Sequence, residues 1–332
     1  MESRTFCAIQ HFKIEKIDKP YTINDAELRQ DEKLNRSIFD IDFLHQVGTI
    51  KIQHYFVNRP YFFHTEELDA PLNENVWIKT LLSRKTIYNQ LINYLWFLKD
   101  NSSSVSDVIA YVPSIAGKIY QIGHGAGFSK ADGTFQTTVF TVDDLHTATK
   151  IYCAIAGLQQ DEKINRPEIK TTKDPAVIDS AYHYRNHSKT NRIERALSFL
   201  FMARATSFLP LKISLYISVL ESLFTTDVGE IVHKISERLS LYIGGDYENR
   251  IDLYKFMKQA YGVRSKFFHG QKQDKGKGET KSLQDCAIEL DSILRVTLTN
   301  VIVNDSQLFT TKTDDLLNDF FNKLIFGKQE LG

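Results

Sequence analysis

Short runs of β-branched and aromatic residues, interrupted by polar ones at roughly every second position, dominate the first half of the chain. "TFCAIQHFKI", "VGTIKIQHYFV" and "GTFQTTVFTV" are of this kind, and their rough alternation predicts strands with one side turned to a core. A different period appears between them. "VWIKTLLSRKTIYNQLINYLWFLKD" sets Leu81, Ile87, Leu91, Leu95 and Leu98 near helical spacing, the mark of a long amphipathic helix. "DDLHTATKIYCAIAGLQ" reads as a second helix. Residues 1–185 are therefore expected to form an α+β domain.

The polar stretch "DEKINRPEIKTTKDPAVIDS" loses all periodicity and carries Pro167 and Pro175, so a linker or surface excursion is expected there. Beyond it the pattern is helical throughout. "NRIERALSFLFMARATSF" places Ile193, Ala196, Leu197, Leu200 and Phe201 on one face. Pro210 suits the first turn of the next helix, "LKISLYISVLESLF", because a first-turn proline loses no intrahelical bond. Asp227 and Glu230 suggest a capping box for "EIVHKISERLSLYI", which Gly244 and Gly245 can stop. Asp246 is placed to cap "YENRIDLYKFMKQAYGVRSKFFH", and Ser282 to cap a helix running to about Asn304. "DDLLNDFFNKLIF" closes the pattern. Residues 190–326 are thus expected to be an all-α bundle of five or six helices.

Composition narrows the function classes. Of the 332 residues 42% are hydrophobic and 25% charged, as in an ordinary globular protein, and the formal net charge is +0. Binding to a nucleic acid would have to use a local basic patch. Cys7, Cys153 and Cys286 are odd in number and far apart, which speaks against a disulfide framework or a thiolate metal site. With no basic segment leading into an apolar stretch, and no run apolar enough to cross a bilayer, a cytoplasmic protein without membrane association is expected.

Within the helical half, "YGVRSKFFHG" puts Arg264 and His269 five residues apart. The separation by itself carries little, because Arg59 and His64 in "RPYFFH" repeat it. Context separates the two pairs: Pro60 follows Arg59 in a strand-like segment, where packing or solvation is the expected role, whereas Arg264 and His269 close a helix inside the bundle. "VLESLF", "SERLSLYIGG" and "LYKFMKQAYGV" precede that helix end. The combination, over about residues 190–305, resembles the Apea-like HEPN domain, with its "LE-x-LF" helix, its mid-bundle arginine and its "Y-x-x-RS-x-x-x-HG" helix end.

The resemblance implies an all-α HEPN-type bundle. It also implies a metal-independent endoribonuclease, needing no cofactor, of a bacterial defence or toxin system. Arg264, Ser265 and His269 match the arginine, polar and histidine positions of the superfamily motif, while Glu221 and Arg238 match additional polar positions. Tyr261, Ser265 and His269 form one row on the helix at i, i+4 and i+8; Arg264 and His269 lie about 140° apart around an ideal helix. The expected chemistry has His269 moving the proton of a ribose 2′-hydroxyl and Arg264 holding the scissile phosphate with its planar fork. One copy supplies few groups, so a homodimer through the C-terminal bundle is expected to share the site. Lys266, Lys272, Lys275, Lys277 and Lys281 are candidates for guiding an RNA backbone, or simply for a solvated loop. An antitoxin or a phage-derived trigger is a candidate partner, and the first 185 residues a candidate sensor or regulatory domain.

Two other readings remain open at this point. HEPN domains also serve as non-catalytic RNA-binding and dimerisation modules. Arg264 can equally pair with Glu221 or Asp285 while His269 only ends the helix. The remaining signals are weaker: "GHGAGFSK" and "AGKIY" lack the spacing of a nucleotide-binding loop and read as turns, and His183 and His187 in "HYRNH" have no third ligand nearby, so no metal site is expected. The aromatics of "HYFVNRPYFFH" read as core.

Overall fold

A computed structural model describes residues 1–15, 19–23, 25–69, 73–114, 118–123, 127–158, 190–227, 229–270, 277–311 and 313–327. Its contacts divide the described chain into two units. The first holds most of the N-terminal half. The second holds the helices from residue 190 onward together with residues 153–158 and Ser129–Thr134, the latter a turn fastened there by Ser129 N–H to Arg204 O at 2.9 Å and Gln284 Nε2 to Asp132 O at 3.3 Å.

In the first unit, β1 (Glu2–Gln10) lies between β5 (Tyr61–Glu67) and β6 (Ser104–Tyr111), antiparallel to both. With β3 (Tyr21–Ile23), β4 (Ala26–Arg29) and β7 (Ile119–Ile122) they make a six-stranded sheet ordered β3-β4-β5-β1-β6-β7. β2 (Phe12–Ile14) pairs separately, in parallel, with β8 (Thr138–Phe140). The "TFCAIQHFKI" run is therefore two strands, broken at His11, whose φ of 54° no continuous strand can hold.

Alternation along β1 sends successive side chains to opposite faces. Phe6 and Ala8 join Phe39, Phe43, Ile52, Phe56, Tyr61, Ile109 and Tyr111 in one core. Thr5 instead accepts a hydrogen bond from Arg84 of α3 (Glu74–Tyr94), and Phe62 stacks on Tyr88 of that helix with centroids 4.6 Å apart. The long predicted helix is thus present, extended by a 3₁₀ turn at Leu95–Phe97, and so is α4 (Val142–Leu158).

"VGTIKIQHYFV" is a correction. It forms a helix, α2 (Thr49–Phe56), preceded by α1 (Ile41–Val47), and not a strand. Asp40 caps α1 by accepting from Phe43 N–H at 2.9 Å, and Gly48 turns between the two helices at φ 91°. Ile52 and Phe56, four apart, are fully buried while Ile50 is 85% exposed. Burial of that i, i+4 pair in the phenylalanine cluster outweighs the local preference of β-branched residues for strand.

From residue 190 onward the second unit is built of helices: α5 (Arg192–Arg204), α6 (Leu209–Phe224), α7 (Ile231–Ile243), α8 (Tyr247–Phe268), α9 (Lys277–Val303), α10 (Ser306–Thr310) and α11 (Asp315–Phe326). α6 is the central element, packed against α5, α7, α8 and α9. Ile213, Tyr216, Ile217, Val219, Leu220, Leu223 and Phe224 are all buried, as expected of a helix apolar almost all round. Pro210 does sit in its first turn. Its C-terminal carbonyls are closed by two arginines, Arg192 donating to Ser222 O and Thr225 O and Arg238 to Phe224 O at 2.7 Å.

Two of the cap expectations change. Glu230 adopts a left-handed conformation (φ 48°, ψ 40°) without capping α7, and Asp227 instead accepts from Gly229 N–H and Lys234. Ser282 lies inside α9, which begins at Lys277. Asp246 does cap α8, accepting from Asn249 N–H at 2.9 Å. Among the described residues no helix is long and apolar enough to cross a membrane.

Candidate functional site

The last two turns of α8 carry the "YGVRSKFFHG" residues, and the helix stops where that sequence predicts. His269 is the C-terminal cap residue, its N–H donating to Ser265 O at 3.0 Å. Gly270 follows at φ 64°, the left-handed position that ends helices and suits glycine.

Tyr261, Arg264, Ser265, Phe268 and His269 line one open cleft of about 230 Å³. Arg264 and His269 thereby share a concavity despite their angular separation, with Tyr261, Ser265 and Phe268 filling the arc between them. Every lining residue belongs to α8 or its cap. Among the described residues the cleft has one wall.

Arg264 is held by two helices. Its Nη2 reaches Glu221 Oε2 on α6 at 3.0 Å, and its Nη1 donates to the Tyr261 hydroxyl at 2.8 Å. That hydroxyl in turn lies 3.3 Å from Glu221 Oε1, closing a three-residue ring. The guanidinium also sits over two aromatic faces, 5.1 Å from the Tyr261 centroid and 5.6 Å from that of Phe268, a geometry that suits its planar cation. Arg264 Nε is buried and has no hydrogen-bond partner among the described residues.

Burial pushes the Glu221 carboxyl above its ordinary pKa, more than the opposing pull of Arg264, Tyr261 and Ser218 restores. Burial likewise raises the Tyr261 phenol. The site is therefore a half-buried guanidinium, tied to a carboxylate that is itself reluctant to ionise, with an exposed imidazole at the rim.

Other candidates fall elsewhere. Arg238 does not line the cleft; besides Phe224 O it bonds Thr226 and Asn318 and lies 4.9 Å from the Phe321 ring centroid. Lys266 is exposed on α8 without lining the cleft, and Lys281 is exposed near the start of α9. Lys277 opens α9, although its side chain lies outside the described residues, as do Lys272, Lys275, His183, His187 and most of the "GHGAG" segment. Asp285 is exposed, and the partner of Arg264 is Glu221.

In the first unit, Arg59 is exposed and His64 is buried, its Nδ1 2.6 Å from Asp25 O. Packing and solvation describe that pair. Among the described residues no group of three or more His, Cys, Asp or Glu side chains is placed to hold a metal ion. Phe268 belongs to the cleft although its sequence position gave no reason to single it out; nothing in a sequence distinguishes an aromatic ring that stays 62% exposed from one that joins the core.

No family model matches the chain, and no match was found among curated proteins or among solved structures.

Proposed function

We propose that the protein is a metal-independent endoribonuclease of the HEPN type, cutting RNA at a site shared by two copies of the Arg264–His269 helix end. The observation that carries this reading is the common cleft: a half-buried guanidinium and an exposed imidazole line the same concavity. In the proposed reaction the ribose 2′-oxygen attacks the adjacent phosphorus while His269 takes the 2′-hydroxyl proton. The P–O5′ bond breaks, and the 5′-oxygen receives a proton from the second histidine. Arg264 stabilises the charge gathering on the phosphate oxygens. The products are a 2′,3′-cyclic phosphate and a 5′-hydroxyl. DNA lacks the nucleophile and is not a substrate.

The second copy is part of the proposal because, among the described residues, the cleft has a single wall and a single imidazole. A two-fold axis near the α8 ends would bring a second arginine and histidine to the opposite side. A role in bacterial defence, with the first unit sensing a trigger or binding an antitoxin, rests on the resemblance described above.

A second reading is favoured by the Glu221–Arg264 ion pair. An arginine already engaged by a carboxylate can serve a bundle that binds RNA or dimerises without cutting. Incubating the protein with total RNA in excess chelator separates the two. Cleavage that disappears in His269→Ala supports the nuclease, whereas intact RNA under conditions where binding is measurable supports the binding module.

A further inference from the structure

We infer that Phe268 is a stacking platform for an unpaired nucleobase, so that the cleft selects single-stranded over duplex RNA; this deepens the ribonuclease reading and rests on it for the identity of the ligand. Phe268 lines the cleft and is 62% exposed, so its ring is open to a ligand there. The ring is not loose. Phe267 packs edge-on against it at 5.2 Å, Phe267 in turn meets Phe208 at 5.6 Å, and the Arg264 guanidinium lies 5.6 Å from its centroid.

A braced aromatic beside a phosphate-binding cation is the pairing that unstacked nucleotides use, with the base on the π-face and the backbone on the charge. Arg264 in the cleft and exposed Lys266 on the same helix end favour an anionic ligand. At about 230 Å³ the concavity is smaller than the roughly 300–1,000 Å³ of drug-sized sites and suits one nucleotide unit. In an A-form duplex the base faces are stacked on one another and cannot reach the ring.

Binding of the full chain to a short 2′-O-methyl RNA, which cannot be cut through its 2′-oxygen, tests this in single-stranded and duplex form. Phe268→Ala and Phe268→Leu should each raise the single-strand Kd by roughly 5- to 100-fold, and Phe268→Trp should retain the wild-type value. The duplex should bind more weakly and equally to all four proteins. The tryptophan variant adds a signature of stacking: its fluorescence should be quenched by the single strand, against a steady background from the buried Trp77 and Trp96 measured in the wild type.

Equal affinity of wild type and Phe268→Ala, or equal affinity for single strand and duplex, overturns the inference. So does a fall in molar mass for Phe268→Ala with unchanged RNA binding, which would assign the ring to a contact between copies. If wild type cuts ordinary RNA and Phe268→Ala binds and cuts equally well, the nuclease stands and the platform falls. If nothing is cut but single-strand affinity still depends on Phe268, the platform stands without the nuclease. A wild type that binds no RNA removes both.

Discussion

Glu221 of α6 and Arg264 of α8 meet at 3.0 Å, with the Tyr261 hydroxyl touching both. The central, buried helix thereby fixes the rotation of the guanidinium, while His269, beyond the last turn of α8, is held only through its backbone among the described contacts. The two site residues should respond differently to removal.

Arg264→Ala leaves a half-buried carboxylate without its cation and should cost about 1–3 kcal/mol of stability. On the proposed mechanism it should also lower RNA cleavage by about 100-fold or more. Arg264→Lys should recover part of the stability and little of the activity, because the fork that spans Glu221 and Tyr261 is lost. His269→Ala should keep stability within about 0.5 kcal/mol of wild type and still reduce cleavage by about 10²–10⁴-fold. Urea denaturation alongside RNA cleavage in chelator checks both. Loss of stability in His269→Ala comparable to that in Arg264→Ala would assign the histidine a structural role.

The raised Glu221 pKa gives a pH-dependent expectation. A carboxyl whose pKa is higher in the folded than in the unfolded chain binds its proton more tightly when folded. Its favourable contribution is complete below the ordinary value of 4.5 and is lost as pH rises through the raised folded value. Glu221→Gln, which copies the neutral form and keeps one oxygen to accept from Arg264 while its amide N–H can donate to the Tyr261 hydroxyl, should therefore equal wild type in acid and exceed it in stability at neutral pH. Denaturation midpoints across that range measure the difference. A variant less stable at pH 7 than at pH 4, relative to wild type, would show that the ion pair outweighs the burial cost.

Arg238 separates bundle integrity from chemistry. It donates to Phe224 O at the end of α6 and to Asn318, and it packs over Phe321 of α11. Arg238→Ala should cost about 1–3 kcal/mol yet leave cleavage per folded molecule unchanged. Activity normalised to the native fraction checks this. A large loss in fully folded protein would bring Arg238 into the site.

The span of α8 was legible in the sequence because local signals agree there: an aspartate cap at its start and a glycine stop at its end. The Glu221–Arg264 pairing could be named as one of two options, since charges on two amphipathic helices have few partners inside a bundle. The shared cleft was not legible. Arg264 and His269 lie about 140° apart around an ideal helix, and Tyr261, Ser265 and the exposed Phe268 ring complete the lining between them. Ser282 misled as a cap because α9 extends back to Lys277 through a glycine-containing stretch of poor local propensity.

The same limit explains α2 and supplies the sharpest test of the first unit. "TIKIQHYF" alternates like a strand, and on a strand Ile50 and Ile52 would share one face and one environment. On the helix they diverge: Ile52 is fully buried beside Phe56, whereas Ile50 is 85% exposed. Ile52→Ala should therefore cost about 2–5 kcal/mol, and Ile50→Ala should stay within about 0.5 kcal/mol of wild type. Asp40→Ala, which removes the cap on the preceding α1, should cost about 0.5–2 kcal/mol. Equal losses at Ile50 and Ile52 would count against the helix, on which residues two apart point about 160° away from each other; unequal losses are what the helical period expects.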